Sequence, residues 1–134
     1  IGALDTRLAG TIAGGIYLGM SCLNNPDIAH PCQTVPALSL SLDLPNVAML
    51  FETWDLGALI APRPLLAMWG DRDEFYATSP WKSCAQDALA RTRDIYRAVG
   101  AGQNFKDSLR RGMPHEFDNE AAFSFFAGVP NTLR

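Results

Sequence analysis

The sequence predicts an α/β fold with a mostly parallel sheet and flanking helices. Two short apolar segments, Leu8–Leu18 and Arg63–Trp69, have the composition of strands that are buried on both faces of a parallel sheet. Segments with apolar residues at three- and four-residue steps come after them, as expected of amphipathic helices. Because strands that alternate with helices form βαβ units, we expect the strands to run parallel. The 134 residues suit one domain, and the chain has no internal repeat.

The first half of the chain combines a strand, a long connection and a helix. Leu8–Leu18 is the predicted strand. The segment Gly19–Pro45 contains four prolines and no clear periodicity. So long a connection is uncommon in a compact domain and is usually functional or a lid. Helical spacing returns in Asn46–Leu59, which we predict to be a helix.

The second half contains the clearest signals for the bounds of elements. Gly70 ends the strand Arg63–Trp69, as a strand that enters a tight loop requires. A helix is predicted to start at Ser79, the expected N-cap, with Pro80 in its first position, and to stop at Gly100. Two shorter elements follow, a third strand at Phe105–Arg110 and a final helix at Asn119–Ala127.

Composition and charge exclude several classes of function. The net charge is −3, from 14 acidic and 11 basic side chains, which leaves no basic patch for a phosphate backbone, so we expect no nucleic-acid partner. No apolar run approaches the ~18 residues of a membrane span, so we expect no membrane partner. Three cysteines without a CxxC pair, and two histidines, argue against a structural zinc site. A disulfide between Cys22 and Cys32 remains an open alternative.

Two loops carry side chains that suit catalysis. Gly70–Asp73 follows the second strand and Gly112–His115 follows the third. Functional groups of open α/β sheets gather outside the carboxyl ends of the strands. A carboxylate from one loop and an imidazole from the other would form the Asp–His part of a hydrolase triad, in which the carboxylate orients the imidazole. We therefore take Asp73 and His115 as the candidate catalytic residues.

Each candidate also has a structural interpretation. Asp73 is compatible with an ordinary turn residue, and His115 with a loop histidine whose hydrogen bonds are satisfied locally. Asp71 and Glu74 are rivals for the acid role, although Asp71 follows the strand too closely to turn back toward the histidine. His30 is better interpreted as a structural or lid residue than as a catalytic one.

The chain offers no convincing nucleophile. Gly19-Met20-Ser21-Cys22-Leu23 begins like the G-x-S-x-G nucleophile elbow, but its last position is leucine. We also expect Ser21 to lead into the proline-rich connection instead of the strand–turn–helix that an elbow needs. Nothing in the sequence near Cys22 would lower the pKa of its thiol, so this residue is no better a candidate.

Several segments spread along Ala3–Phe126 resemble one family. They are Ala3–Leu8, His30–Cys32, Val35–Pro36, Leu42–Leu44 and Ala58–Leu66, together with the loops Gly70–Asp73 and Gly112–Phe117. They are similar to α/β-hydrolases of the acetyl xylan esterase-like and dienelactone hydrolase-like group. The most specific feature is Ala61–Leu66 followed by the Gly-x-x-Asp loop. That group usually has glycine immediately before the histidine, where this chain has Pro114.

The resemblance implies the C-terminal portion of an α/β-hydrolase fold and a serine carboxylic-ester hydrolase acting on an acetylated sugar or another small acyl ester. It implies no metal or organic cofactor. The family's serine would precede Ile1, so residues 1–134 are expected to be a single partial domain that carries Asp73 and His115 and is inactive alone. A prolyl oligopeptidase-like peptidase and a non-catalytic truncated hydrolase remain alternatives. Without the rest of the sheet, we expect exposed apolar surface and self-association through a sheet edge.

Overall fold

The computed structural model describes residues 1–15, 17–23, 50–77 and 80–129. Three strands form one parallel sheet in the order β1 (Thr11–Gly14), β2 (Leu65–Gly70) and β3 (Phe105–Arg110). The predicted third strand has the bounds expected from the sequence. The first strand is shorter than the predicted Leu8–Leu18, because Gly15 adopts φ +76° and turns the chain out of the sheet.

Helices flank the sheet. They are α1 (Met20–Leu23), α2 (Thr53–Ile60), α3 (Glu74–Ala77), α4 (Trp81–Ala98) and α5 (Asn119–Ala127), with a short 3₁₀ turn at Gly102–Asn104. The final helix has its predicted bounds, and its N-cap Asp118 accepts a hydrogen bond from the Ala121 amide. No helix within these described segments has the length and apolar character needed to cross a bilayer.

Two helix starts differ from their predictions. The helix predicted at Asn46–Leu59 begins at Thr53, because the Glu52 amide donates to the Asp55 carboxylate at 2.7 Å and this contact closes the first turn. Residues 46–49 lie outside the described residues. Pro80 is the N-cap of α4 and not its first helical residue, while the expected cap Ser79 lies outside the described residues.

The core has a layer on each face of β2. All six residues of this strand are buried, as predicted for a strand covered on both sides. Leu65, Ala67 and Trp69 join the cluster formed with α2 and α4, whereas Leu66 and Met68 pack with Phe125 of α5. The alternation follows from the two-residue period of a strand.

Arg63 ties the N-terminal segment to the sheet. Its guanidinium donates to the carbonyl oxygens of Gly2 at 2.9 Å, Asp5 at 3.0 Å and Leu8 at 3.2 Å. The Arg63 carbonyl in turn accepts a hydrogen bond from the Tyr96 hydroxyl of α4 at 2.7 Å. One side chain thus holds residues 2–8 beside the start of β2.

A disulfide joins α1 to α4. Cys22 is bonded to Cys84, with their Cα atoms 6.2 Å apart. A sulfur atom forms one such bond, so the alternative of a Cys22–Cys32 bridge is wrong. The distance between Cα atoms decides which cysteines pair, and the fold brings α1 against the first turns of α4. Cys32 itself lies outside the described residues.

Candidate active site

The two candidate loops begin at the same edge of the sheet. Residues 65–70 of β2 pair in parallel with residues 105–110 of β3, and Gly70 is opposite Arg110. When neighbouring parallel strands end at the same level, the loops that follow them lie side by side. The register therefore puts Gly70–Asp73 next to Gly112–His115.

Asp73 and His115 meet in a hydrogen bond. His115 Nδ1 lies 2.9 Å from Asp73 Oδ2, although 42 positions separate the two residues in the chain. Because a carboxylate oxygen accepts hydrogen bonds, this contact favours the imidazole tautomer whose proton is on Nδ1. Asp73 is 1% exposed, whereas the His115 side chain is 43% exposed. The pair thus combines a buried carboxylate with an imidazole that is exposed to solvent.

The backbone of Gly70–Asp73, which we call the acid loop, holds Asp73 at the start of α3. The Asp73 amide donates to the Gly70 carbonyl at 3.2 Å, and the Asp73 carbonyl accepts from the amides of Tyr76 and Ala77. A tight turn therefore connects β2 directly to α3. Burying a carboxylate is costly unless it is hydrogen-bonded, and the contact with His115 offsets part of this cost.

His115 sits in a three-residue turn. The Glu116 amide donates to the Pro114 carbonyl at 2.8 Å, which closes the turn around the histidine. Pro114 stands where the resembled family has glycine. With proline there, the loop still delivers the imidazole to Asp73.

Gly15 is a component of this site that sequence reasoning missed. A Cβ at this position would lie 2.7 Å from His115 Cε1, so the imidazole packs directly on the backbone at the end of β1. Gly14, Gly15 and Phe117 also line a cavity of about 210 Å³ beside His115. The consecutive glycines after a predicted strand were the available signal for this close approach.

One of the two rival acids, Asp71, has a different hydrogen-bond partner. The Asp71 carboxylate accepts a hydrogen bond from the Gly112 amide at 2.6 Å. The Glu74 side chain and the whole of His30 lie outside the described residues. Of the two acids whose side chains are described, Asp73 is therefore the one that contacts His115.

The two rejected candidates for the nucleophile, Ser21 and Cys22, lie in a short helix. Ser21 lies in the four-residue helix α1. The proline-rich connection into which it is predicted to lead lies outside the described residues from position 24 to position 45. A capping contact accounts for the helix here, because the Ser21 amide donates to Glu52 Oε1 at 3.1 Å. Cys22 is bonded to Cys84 and has no thiol.

A second cavity, of about 650 Å³, lies apart from the Asp–His pair. The N-terminal segment, β1 and α2 line it, mostly with apolar side chains such as Leu4, Leu56 and Ile60. It contains neither Asp73 nor His115. The described segments also hold no group of three or more His, Cys, Asp or Glu side chains arranged to bind a metal ion.

Comparisons with known proteins point to one fold. No protein-family model and no curated protein matches the chain. Among solved structures, it is similar to a carbohydrate esterase family 15 (CE15) glucuronoyl esterase from Caldicellulosiruptor kristjansonii, with 19% identity and a TM-score of 0.62. That likeness covers 92% of this chain and 36% of the esterase, so the chain spans about a third of its length. A methylesterase, BT1017, is similar at 25% identity and a TM-score of 0.46, over 57% of this chain and 17% of that protein.

The likeness to the glucuronoyl esterase bears on the fold prediction. Its TM-score holds over nearly the whole of this chain, and the sheet has the parallel order β1–β2–β3 with helices on both faces. The predicted α/β class with a parallel sheet and flanking helices is therefore confirmed. The fold is that of part of an α/β domain and is similar to about a third of the esterase.

Proposed function

We propose that this chain supplies the acid and the base of a serine carboxylic-ester hydrolase. The observation that carries the proposal is the hydrogen bond between buried Asp73 and accessible His115 at the carboxyl edge of a parallel sheet. The nucleophilic serine would lie N-terminal to Ile1, since residues 1–134 contain no G-x-S-x-G segment. The 134-residue chain alone is then inactive.

His115 acts on both halves of the reaction. Its Nε2 removes the proton of the serine hydroxyl as the hydroxyl attacks the ester carbonyl, and the same nitrogen then protonates the departing alcohol. In the second half it activates water, which hydrolyses the acyl-enzyme. Asp73 keeps the proton on Nδ1 and stabilises the imidazolium that forms in each half. No step requires a metal or an organic cofactor.

We propose a small acyl ester, such as an acetylated sugar, as the substrate. Two glycines and Phe117 line the cavity beside His115, and these small and apolar groups suit a compact acyl group. The resemblance to the acetyl xylan esterase-like group supports this choice. The name of the similar solved structure, a carbohydrate esterase, supports an ester of a carbohydrate without supporting the small acyl group.

The test uses the complete polypeptide that contains this chain, with an aryl acetate as substrate. We expect Asp73→Asn to lower kcat about 10⁴-fold and His115→Ala to lower it by at least that factor. Asp87→Asn, which changes an exposed carboxylate on α4, is the matched control and retains activity.

Three results would contradict the proposal. One is a His115→Ala variant that keeps its activity within a few-fold. Another is a polypeptide without a G-x-S-x-G segment upstream of Ile1, which would favour a non-catalytic protein. The third is turnover by residues 1–134 alone. Cleavage of proline-containing peptides in preference to esters would replace the esterase with a peptidase of the same fold.

A further inference from the structure

We propose that Asp71 is a positioning residue that holds the histidine loop in place, an inference that rests on the proposed function. Its carboxylate does not need to touch the substrate. It accepts a hydrogen bond from the Gly112 amide, at 2.6 Å from Oδ1, on the loop that carries His115. The acid loop therefore contributes two carboxylates with different tasks, one on the imidazole and one on the backbone that leads to it.

Two backbone hydrogen bonds flank this contact. The Asp71 amide donates to the Arg110 carbonyl and the Arg72 amide donates to the Met113 carbonyl, both at 3.0 Å. The loops approach so closely that a Cβ at Gly70 would lie 1.9 Å from the Met113 oxygen. Three hydrogen bonds from consecutive residues thus bind the two loops together along residues 110–113.

The side-chain contact adds to these backbone hydrogen bonds at the exposed residue Gly112. This glycine has φ +76°, and a Cβ built on it would meet nothing within 4 Å. Glycine also allows the backbone more conformations than other residues, so a further restraint on this exposed turn is useful. The hydrogen bond from the Gly112 amide to the side-chain oxygen of Asp71 provides that restraint.

The consequence for catalysis is geometric. Gly112 is three residues from His115 in the chain, so a shift of the turn at Gly112 would displace the loop that carries the imidazole. A shift of about 1 Å in a catalytic group costs on the order of 10²-fold in rate. Losing the Asp71 contact should therefore affect kcat much more than KM.

Two substitutions separate positioning from charge. Asp71→Ala removes the acceptor, whereas Asp71→Asn keeps an acceptor oxygen without the charge. Arg111→Ala removes an exposed charge from the same turn and serves as the matched control. In the complete polypeptide, we expect Asp71→Ala to lower kcat about 10- to 100-fold with KM within about twofold, while Asp71→Asn and Arg111→Ala stay within about threefold of the parent.

A second readout is independent of activity. The proton on His115 Nδ1 is held by Asp73, and its NMR signal reports that contact. We expect the signal to be lost or broadened in Asp71→Ala and kept in Asp71→Asn. If the complete polypeptide without substitutions hydrolyses no ester, the proposed function fails. The Nδ1 proton signal still tests the role of Asp71 in that case.

Two outcomes would overturn the inference. One is Asp71→Ala with the signal intact and, where the parent is active, kcat unchanged. The other is an equal loss in Asp71→Ala and Asp71→Asn that follows a fall in melting temperature, which would make Asp71 a stabilising residue only.

Discussion

Replacing Gly15 with alanine would place a methyl group against the imidazole of His115. The new carbon would lie 2.7 Å from Cε1 and 3.1 Å from Nδ1. Carbon atoms pack favourably at about 3.5–4.0 Å, so the ring must move by roughly 1 Å. The His115–Asp73 hydrogen bond is 2.9 Å long and weakens beyond about 3.2 Å, so a movement of this size breaks or distorts it.

The same substitution also strains the backbone, and this cost must be separated from the clash. Gly15 has φ +76°, in the left-handed region where a Cβ costs about 1–2 kcal/mol. Gly100 has φ +73°, and a Cβ there meets nothing within 4 Å. Gly100→Ala therefore carries similar strain without any contact to the site, and it is the matched control.

The assay compares both variants in the complete polypeptide. We expect Gly100→Ala to lower the free energy of unfolding by about 1–2 kcal/mol, and Gly15→Ala by at least as much, because its clash adds to the strain. Only Gly15→Ala should lower kcat for an aryl acetate, by on the order of 10²-fold, because only it displaces the imidazole. If Gly15→Ala and Gly100→Ala had the same kcat, the argument that Gly15 supports His115 would be refuted.

Three further predictions concern stability and assembly. Cys84→Ser should lower the free energy of unfolding by on the order of 4 kcal/mol, since the disulfide closes a 62-residue separation; in urea titrations the parent and Cys32→Ser should stay sensitive to reductant and Cys84→Ser should not. A hydrogen bond from the Ala121 amide and, after it, one from the Arg110 guanidinium hold the pKa of Asp118 below its usual range. The pKa of Asp118 is lower in the folded state than in the unfolded state. Its carboxylate therefore stabilises the fold above about pH 4, and this stabilisation is lost as the pH falls through the folded-state pKa. Asp118→Asn should make the free energy of unfolding depend less on pH in that range. We propose that residues 1–134 alone self-associate through the edge of β1, which pairs only with β2 within the described segments; sedimentation as a monomer at every concentration would contradict this.

Local signals predicted the elements whose ends depend on their own residues. The final strand Phe105–Arg110 and the helix Asn119–Ala127 have their predicted bounds, and Asp118 caps that helix. Longer apolar segments were predicted less well. Leu8–Leu18 contains a four-residue strand, because apolar character measures burial and not pairing, and Tyr17 and Leu18 are buried outside the sheet.

The candidate site was predicted in part. The loops that contain Asp73 and His115 follow strands, and parallel neighbouring strands bring such loops to one edge. Residue types alone left Asp71 in competition for the acid role. The structure distinguishes Asp71 from Asp73 by their partners. The Asp71 carboxylate accepts a hydrogen bond from the Gly112 amide, whereas the Asp73 carboxylate contacts the imidazole.

The amino-acid sequence by itself determined the alternation of strands and helices, the burial of β2 on both faces and the two loops that carry polar groups. These features depend on periodicity and turn residues, which act over a few positions. Only the tertiary structure decided that Cys22 pairs with Cys84, that Gly15 supports the imidazole and which carboxylate contacts His115. Each of those contacts joins segments that are distant in the chain, so it depends on ångström-scale packing between elements, which local patterns do not encode.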